Sequence, residues 1–157
     1  MTRDVLLMRH AETRTASADT GDHERPLTEW GREDARRIAE VLKQERLVPE
    51  RILVSSAVRA RQTVERMVEH FGAVNVVEES RLYLATPSTF TELLEAHSAE
   101  AVPLLIVAHN PTLQNIVSRM AGVLVPFPTA SLAHVILRSG QPPEVVAVWR
   151  TSEMTMG

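Results

Sequence analysis

The sequence predicts an α/β protein: a three-layer α/β/α sandwich with a mostly parallel sheet and an antiparallel hairpin at its C-terminal edge. Up to residue 121, short apolar segments alternate with longer segments of helical periodicity. The apolar segments are uniformly hydrophobic, which is typical of parallel strands buried on both faces. After residue 130, two strand-like segments surround a Gly-Gln-Pro-Pro turn, and this pattern indicates a hairpin.

Six segments are predicted as strands. Four of them are the apolar runs expected to pair in parallel, and the last two form the hairpin: 5–8, 52–54, 74–77, 104–108, 132–138 and 145–149. The run at 104–108, Leu-Leu-Ile-Val-Ala, is entirely apolar, and we therefore expect it at the centre of the sheet. Residues 82–84 have no clear preference.

The first predicted helix follows Thr28, a favourable N-cap residue, and covers about 29–45. Its apolar residues recur at helical spacing, and charged residues of both signs occupy the other face. Gly31 in its first turn indicates close packing, since glycine is otherwise unfavourable inside a helix. A polar loop, 12–24, is expected between the first strand and this helix.

Three further helices are predicted at 57–71, 89–97 and from Pro111 to Ala121. Ser55 or Ser56 is the expected N-cap of the second helix, and Asn110 that of the fourth. Gly72 and Gly122 are the expected helix ends.

Length and composition exclude several classes of protein. With 157 residues we expect a single domain, 1–157. The net charge of −3 favours neither nucleic acid nor an anionic membrane as partner, and the lack of cysteine excludes disulfides and thiolate metal sites. No segment has the length of a signal-peptide core or a transmembrane helix, so a cytoplasmic location is expected.

Basic side chains follow three of the predicted parallel strands. Arg9 and His10 come after the first strand, Arg59 lies in the first turn after the second, and His109 ends the fourth. The C-terminal ends of parallel strands lie along one edge of a sheet, where α/β proteins bind ligands. Two arginines and two histidines there favour a multiply charged anion such as phosphate, which guanidinium groups bind bidentately.

No metal or cofactor is expected at this site. Neighbouring guanidinium groups would repel a cation, and the sequence lacks the HExxH, GxxxxGK[ST], GxGxxG and GxSxG motifs. An imidazole beside arginines stays neutral near pH 7 and can act as a nucleophile.

Four motifs occur in the order found in one known family. They are Arg9-His10, Arg25-Pro26-Leu27-Thr28-x-x-Gly31, Ser55-Ser56-x-x-Arg59-Ala60-x-Gln62-Thr63 and Ala108-His109-Asn110-Pro111. Together they resemble the histidine phosphatase superfamily, of phosphoglycerate mutase-like fold, and most of all its SixA-type phosphohistidine phosphatases.

The resemblance implies a role for each matching residue. His10 would be the nucleophile that carries the phosphoryl group, without a metal. Arg9, Arg59 and His109 would bind the phosphoryl oxygens and stabilise the transition state, and Arg25 would be a further phosphate contact.

The chain departs from the family pattern in three places. Ala11 and Ala108 replace glycines, and residues 81–87 lack the glutamate that protonates leaving groups in mutases and many phosphomonoesterases. An alkoxide leaving group needs such an acid, whereas a phosphorylated imidazole is a better leaving group. This favours protein phosphohistidine as the substrate, and Glu12, Asp22, His23 and Glu92 remain candidate proton donors.

Two alternatives stay open. The first is a phosphomonoesterase that acts on a small sugar or nucleotide phosphate with a loop carboxylate as proton donor. The second is a non-catalytic module that binds phosphorylated ligands. A mutase is disfavoured by the missing acid. The expected partner is therefore a phosphohistidine-bearing protein or a small phosphorylated metabolite.

Overall fold

A computed structural model describes residues 2–17, 19–98 and 103–154. The strands in this part of the chain are β1 (Thr2–Arg9), β2 (Arg51–Val54), β3 (Asn75–Glu78), β4 (Leu104–Ala108), β5 (Leu132–Arg138) and β6 (Glu144–Trp149). The α-helices are α1 (Glu29–Gln44), α2 (Val58–Val68), α3 (Pro87–Ala96) and α4 (Thr112–Ala121). Short 3₁₀ helices occur at Asp22–Glu24, Ser80–Leu82 and Thr151–Glu153.

The strands form one sheet in the order β3-β2-β4-β1-β5-β6. The first four strands of this order pair in parallel, whereas β5 runs antiparallel to both β1 and β6. β4 lies between β2 and β1, and all five of its residues are buried. The predicted central strand and C-terminal hairpin are therefore confirmed.

Alternating side chains of the sheet divide the core into two layers. Leu6 and Met8 of β1 belong to the cluster that packs under α1 and α2. Val5 and Leu7 point to the opposite face and pack with residues of α3 and α4. Helices thus cover both faces of the sheet, as the predicted three-layer sandwich requires.

The N-terminus of α1 agrees with the sequence prediction. Thr28 is the N-cap, and its Oγ1 accepts a hydrogen bond from the Gly31 nitrogen at 2.9 Å. Gly31 lies against the chain that follows β1, where a methyl group would overlap the Glu12 carbonyl oxygen. The close packing predicted at Gly31 is confirmed.

The predicted caps of α2 and α4 were wrong. Ala57 is the N-cap of α2, and the Ser55 hydroxyl is bonded to His109. Pro111 is the N-cap of α4, one residue later than predicted, although Asn110 Oδ1 still accepts from the Gln114 nitrogen in the first turn of α4 and Asn110 Nδ2 donates to the Phe127 carbonyl oxygen. At α2 the Ser55 hydroxyl bonds to another segment, a contact that a local pattern cannot reveal.

Two helix boundaries also differ from the predicted ones. α2 ends at Val68 rather than at residue 71, and α3 begins at Pro87 after a capping box of Thr86 and Thr89. In the described part of the chain, no helix is both long and apolar enough to cross a membrane.

Candidate active site

The four basic residues predicted at the sheet edge lie around one cavity of about 440 Å³. Arg9 is the last residue of β1, His10 follows it, and His109 follows β4, the parallel neighbour of β1. Arg59 enters from the first turn of α2. The full lining consists of Arg9, His10, Glu12, Thr13, Asp22, Arg25, Arg59, Tyr83, Leu84, His109, Asn110 and Thr129.

His10 is fixed by its backbone and by one ring nitrogen. Its backbone nitrogen donates to the Ala108 carbonyl oxygen at 3.1 Å, so the residue is tied to the end of β4. Nδ1 lies 2.8 Å from the Ala11 carbonyl oxygen, which can only accept, so Nδ1 carries the proton. Nε2 therefore carries no proton, and its lone pair accepts a hydrogen bond from Arg59 Nε at 3.3 Å.

The surroundings of His10 keep its ring neutral. Burial lowers its pKa to about 3, with further lowering by His109, Arg59 and Arg9, while the bond to Ala11 acts in the opposite direction. A neutral imidazole with its lone pair on Nε2 is the form required for nucleophilic attack.

His109 is oriented by Ser55. The Ser55 hydroxyl and His109 Nε2 share a hydrogen bond of 2.7 Å, and the His10 and His109 ring centroids are 5.2 Å apart. Burial, followed by the charge of Arg59, lowers the pKa of His109 to about 4. Among the described residues, the buried Nδ1 of His109 has no hydrogen-bond partner.

Arg9 adds a positive charge to the cavity. Its Nη1 donates to the Phe127 carbonyl oxygen at 3.4 Å, and within the described ranges its buried Nε has no partner. Burial lowers the pKa of Arg9, and the charges of Arg59 and Arg25 lower it further. Several cationic groups forced together in this way favour the binding of a multiply charged anion.

Arg59 connects the His10 ring to the loop that precedes α1. It is 6% exposed, and its Nη1 donates to the Asp22 carbonyl oxygen at 2.7 Å while Nη2 donates to Asp22 Oδ2 at 3.2 Å. Thr63, one turn later on α2, donates to the Arg59 carbonyl oxygen and accepts from the Ala11 nitrogen. Thr63 thereby holds α2 against the segment that follows His10.

The Asp22 carboxylate is surrounded by donors. Oδ2 also accepts from the Tyr83 hydroxyl at 2.6 Å, and Oδ1 accepts from Arg25 Nη1 at 3.0 Å. These bonds, with that of Tyr83 the largest influence, hold the pKa of Asp22 far below its usual range. Arg25 lines the cavity as expected, but it faces this carboxylate.

The four candidate proton donors differ in charge state and in whether they line the cavity. Asp22 is ionised, so it does not fit that role, and Glu92 lies outside the cavity on α3, where it faces Arg81 at 3.7 Å. His23 is not part of the lining: its Nε2 lies 3.0 Å from Ser56 Oγ, and its ring packs edge-on against Tyr83. Glu12 lines the cavity and accepts from Thr28 Oγ1 at 3.1 Å.

Sequence reasoning missed Tyr83, which lines the cavity. It follows the 3₁₀ helix Ser80–Leu82, and its ring packs edge-on against both His23 and His109. The segment has no periodicity to indicate its role, and the one available signal was the absence of an acid there. No group of three or more metal-ligating side chains was found among the described residues.

Comparison with known proteins places these residues in a family context. A family model described as the histidine phosphatase superfamily (branch 1) matches residues 5–83, half of the chain. The phosphohistidine phosphatase SixA of Escherichia coli is 31% identical over 140 residues, which cover 85% of this chain and 84% of that protein. An uncharacterized chloroplastic protein of Arabidopsis thaliana is 26% identical over 143 residues, and the match spans 66% of its length.

Solved structures agree in fold over nearly the whole chain. A protein of Agrobacterium tumefaciens, provisionally assigned as the phosphohistidine phosphatase SixA, has a TM-score of 0.83 at 29% identity, covering 94% of this chain and 97% of that one. A protein histidine phosphatase SixA complexed with tungstate has a TM-score of 0.82 at 26% identity, with 92% and 95% coverage. A mycobacterial glucosyl-3-phosphoglycerate phosphatase shares the fold at 18% identity, with a TM-score of 0.70.

Proposed function

The chain belongs to branch 1 of the histidine phosphatase superfamily, and on that basis we propose that it hydrolyses phosphohistidine in a protein through a covalent intermediate on His10. Membership of the family and the similarity to SixA phosphatases make the chain a phosphatase. The substrate and the roles of the individual residues are the proposal.

One observation carries the mechanism. The Nε2 lone pair of His10 faces Arg59 in a cationic cavity, and Nδ1–H is held by the Ala11 carbonyl oxygen. A nucleophile whose lone pair is already oriented loses little entropy on reaching the reactive geometry. The groups around it match those that phosphoryl transfer needs, which are positive charges close to the phosphoryl oxygens.

The reaction is proposed to take place in two steps. In the first, His10 Nε2 forms a bond to phosphorus while the bond from phosphorus to the substrate nitrogen breaks, and the substrate imidazole leaves. In the second, a water oxygen bonds to phosphorus, the bond to Nε2 breaks and inorganic phosphate is released. Arg9, Arg59 and His109 would bind the phosphoryl oxygens in both steps.

The phosphohistidine substrate is supported by the chemistry of the cavity lining. Asp22 is ionised and Glu92 is outside, so neither supplies the proton that an alkoxide leaving group requires. Two solved structures with TM-scores of 0.83 and 0.82 are described as SixA-type histidine phosphatases, which supports a substrate that contains a P–N bond.

The first prediction concerns His10. His10→Asn should lower kcat/KM on a histidine-phosphorylated peptide at least about 1,000-fold, because a covalent nucleophile is lost. Wild type quenched during turnover should carry an acid-labile phosphoryl group that the variant lacks. His70→Asn, which removes a histidine outside the cavity, serves as the matched control. A variant of His10 with normal turnover would contradict the mechanism.

A phosphomonoesterase is the second candidate, because the Glu12 carboxylate lines the cavity and could protonate an alkoxide. Comparing wild-type kcat/KM for the phosphopeptide and for sugar phosphates separates the two functions. Faster hydrolysis of sugar phosphates would overturn the substrate assignment, even if the phosphoenzyme is found.

A further inference from the structure

Asp22 presents a carboxylate to the cavity that the proposed mechanism does not use. It has no role as a proton donor because it is ionised, and yet three donors from separate segments hold it in place. These donors are Arg59 on α2, Tyr83 after the second 3₁₀ helix and Arg25 after the first. A carboxylate held this strongly is expected to have a function of its own.

The Asp22 carboxylate can accept a further hydrogen bond. An ionised carboxylate accepts about four hydrogen bonds. Oδ2 accepts from Arg59 and Tyr83, and Oδ1 accepts from Arg25. Within the described part of the chain, one acceptor position therefore remains on Oδ1, in a side chain that is 52% exposed and lines the cavity.

The position of Asp22 relative to His10 is fixed by Arg59. The guanidinium group donates to His10 Nε2 through Nε and to Asp22 Oδ2 through Nη2. The nucleophile and the carboxylate are therefore bonded to the same planar cation and line the same cavity. A phosphoryl group bound by Arg59 and attacked by His10 has its leaving group on the far side of phosphorus from His10, since attack and departure are in line, and we place that leaving group in the part of the cavity that Asp22 lines.

His10 itself shows how an imidazole can be prepared to leave. Its Nδ1–H is held by the Ala11 carbonyl oxygen, so a phosphoryl group on Nε2 would depart from a ring that already carries a proton on its other nitrogen. The departing imidazole is then neutral. A ring without that proton would have to leave as an imidazolate anion, a much poorer leaving group.

We propose that Asp22 does for the substrate imidazole what the Ala11 carbonyl does for His10: its free Oδ1 position accepts the N–H of the second ring nitrogen. The inference rests on the proposed function and makes Asp22 a specificity-determining residue for phosphorylated imidazoles. The aromatic ring of Tyr83, in the same lining, would form a wall beside the substrate ring.

The step balances without a general acid. The bond from phosphorus to the substrate nitrogen breaks, its electron pair stays on that nitrogen, and the new bond to His10 Nε2 forms. The N–H bound by Asp22 remains in the ring, which leaves as neutral imidazole, and Asp22 stays a carboxylate. The missing glutamate in residues 81–87 then has a physical reason, since this leaving group needs no further proton.

The test compares two substrates in one variant. Asp22→Asn keeps the side-chain shape and removes the charge, and kcat/KM is measured for a histidine-phosphorylated peptide and for p-nitrophenyl phosphate, whose aryl oxide leaves without a proton. The ratio of the two values should fall at least about tenfold, as expected for the loss of one charge-assisted hydrogen bond. Effects on Arg59 that are common to both substrates cancel in the ratio.

Two control variants show whether the change in the ratio comes from the Asp22 carboxylate. Asp22→Glu should recover part of the ratio, and Glu24→Gln, which alters a carboxylate of the same 3₁₀ helix outside the cavity lining, should leave it unchanged. Thermal denaturation checks that each variant is folded.

Three outcomes would overturn the inference. If both substrates slow equally, Asp22 only positions Arg59. If the variant hydrolyses both substrates faster and inorganic phosphate inhibits it more strongly, Asp22 acts only as an anion that competes with phosphate for the arginines. If wild type hydrolyses p-nitrophenyl phosphate through a phosphoenzyme but not the phosphopeptide, the proposed function fails as well.

Discussion

At the scale of single residues, desolvation decides the charge state of the site. His10 and His109 are 5% and 8% exposed, and among the described residues neither has a carboxylate partner that would stabilise the protonated ring. Both rings remain neutral, because burial lowers the pKa of each histidine and the charges of Arg59 and Arg9 lower it further. In acid, the folded state is therefore destabilised, because it cannot protonate these rings as readily as the unfolded state can.

The resulting pH dependence of stability can be predicted with its sign. Unfolded histidines bind protons near pH 6.5, whereas His10 and His109 in the folded protein do so only near pH 3 and 4. The unfolded state therefore holds more protons below pH 6.5. The stabilisation is complete above pH 6.5, and it is lost as the pH falls, by up to about 1.4 kcal/mol per pH unit for each histidine.

Urea denaturation at pH 7, 6 and 5 measures this effect. His10→Asn should show a smaller decrease in the free energy of unfolding than wild type over this range. The account of His10 is wrong if the decrease is the same in both proteins.

At the scale of elements, the N-terminus of α1 holds the segment after His10 in place. The Thr28 nitrogen donates to the Glu12 carbonyl oxygen at 3.0 Å, and Gly31 lies directly against the same peptide unit. A side chain at position 31 would push Glu12 away from the helix. The Arg-Pro-Leu-Thr-x-x-Gly motif thus has a structural reason that is independent of phosphate binding.

Gly31→Ala tests this packing. The added methyl group would overlap the Glu12 backbone, so we expect a loss of about 1–3 kcal/mol in the free energy of unfolding, together with lower kcat/KM. Gly21→Ala is the matched control, because its methyl group would meet only the flexible Glu24 carboxylate at 3.1 Å, and its effect should stay within about 0.5 kcal/mol. Equal stability of the two variants would refute the packing argument.

At the scale of the whole molecule, the cationic cavity is assembled from distant parts of the chain. β1, β2 and β4 lie side by side, and the residues at or after their C-terminal ends supply Arg9, Arg59 and His109. Unfolding disperses these charges, so an anion that needs all of them binds the folded state alone. Such binding raises stability by mass action.

Inorganic phosphate should therefore stabilise the protein. At about 100 times its Kd, the free energy of unfolding should rise by about 2.7 kcal/mol, measured by urea denaturation. Arg59→Ala should abolish the effect, whereas Arg66→Ala, which removes an arginine of the same helix that pairs with Glu69, should retain it. Stabilisation that persists in Arg59→Ala would place the phosphate elsewhere.

The sequence by itself determined the order of strands and helices, the three layers and the meeting of Arg9, His10, Arg59 and His109 at one sheet edge. These follow from short-range periodicity and from the rule that parallel strands end on the same side. The motifs added the family, and the family model and relatives confirmed it.

Only the tertiary structure decided which hydrogen-bond partners the polar side chains of the site have. Ser55 bonds to His109 instead of capping α2, and Asp22 bonds to Arg59, 37 residues away, and to Tyr83, 61 residues away. An aspartate in a polar loop has the same local sequence pattern whether it is a protonated acid that donates a proton or a carboxylate that binds an arginine. Its charge state and its role depend on the donors that surround it, and those donors are brought to it by the folding of the whole sheet.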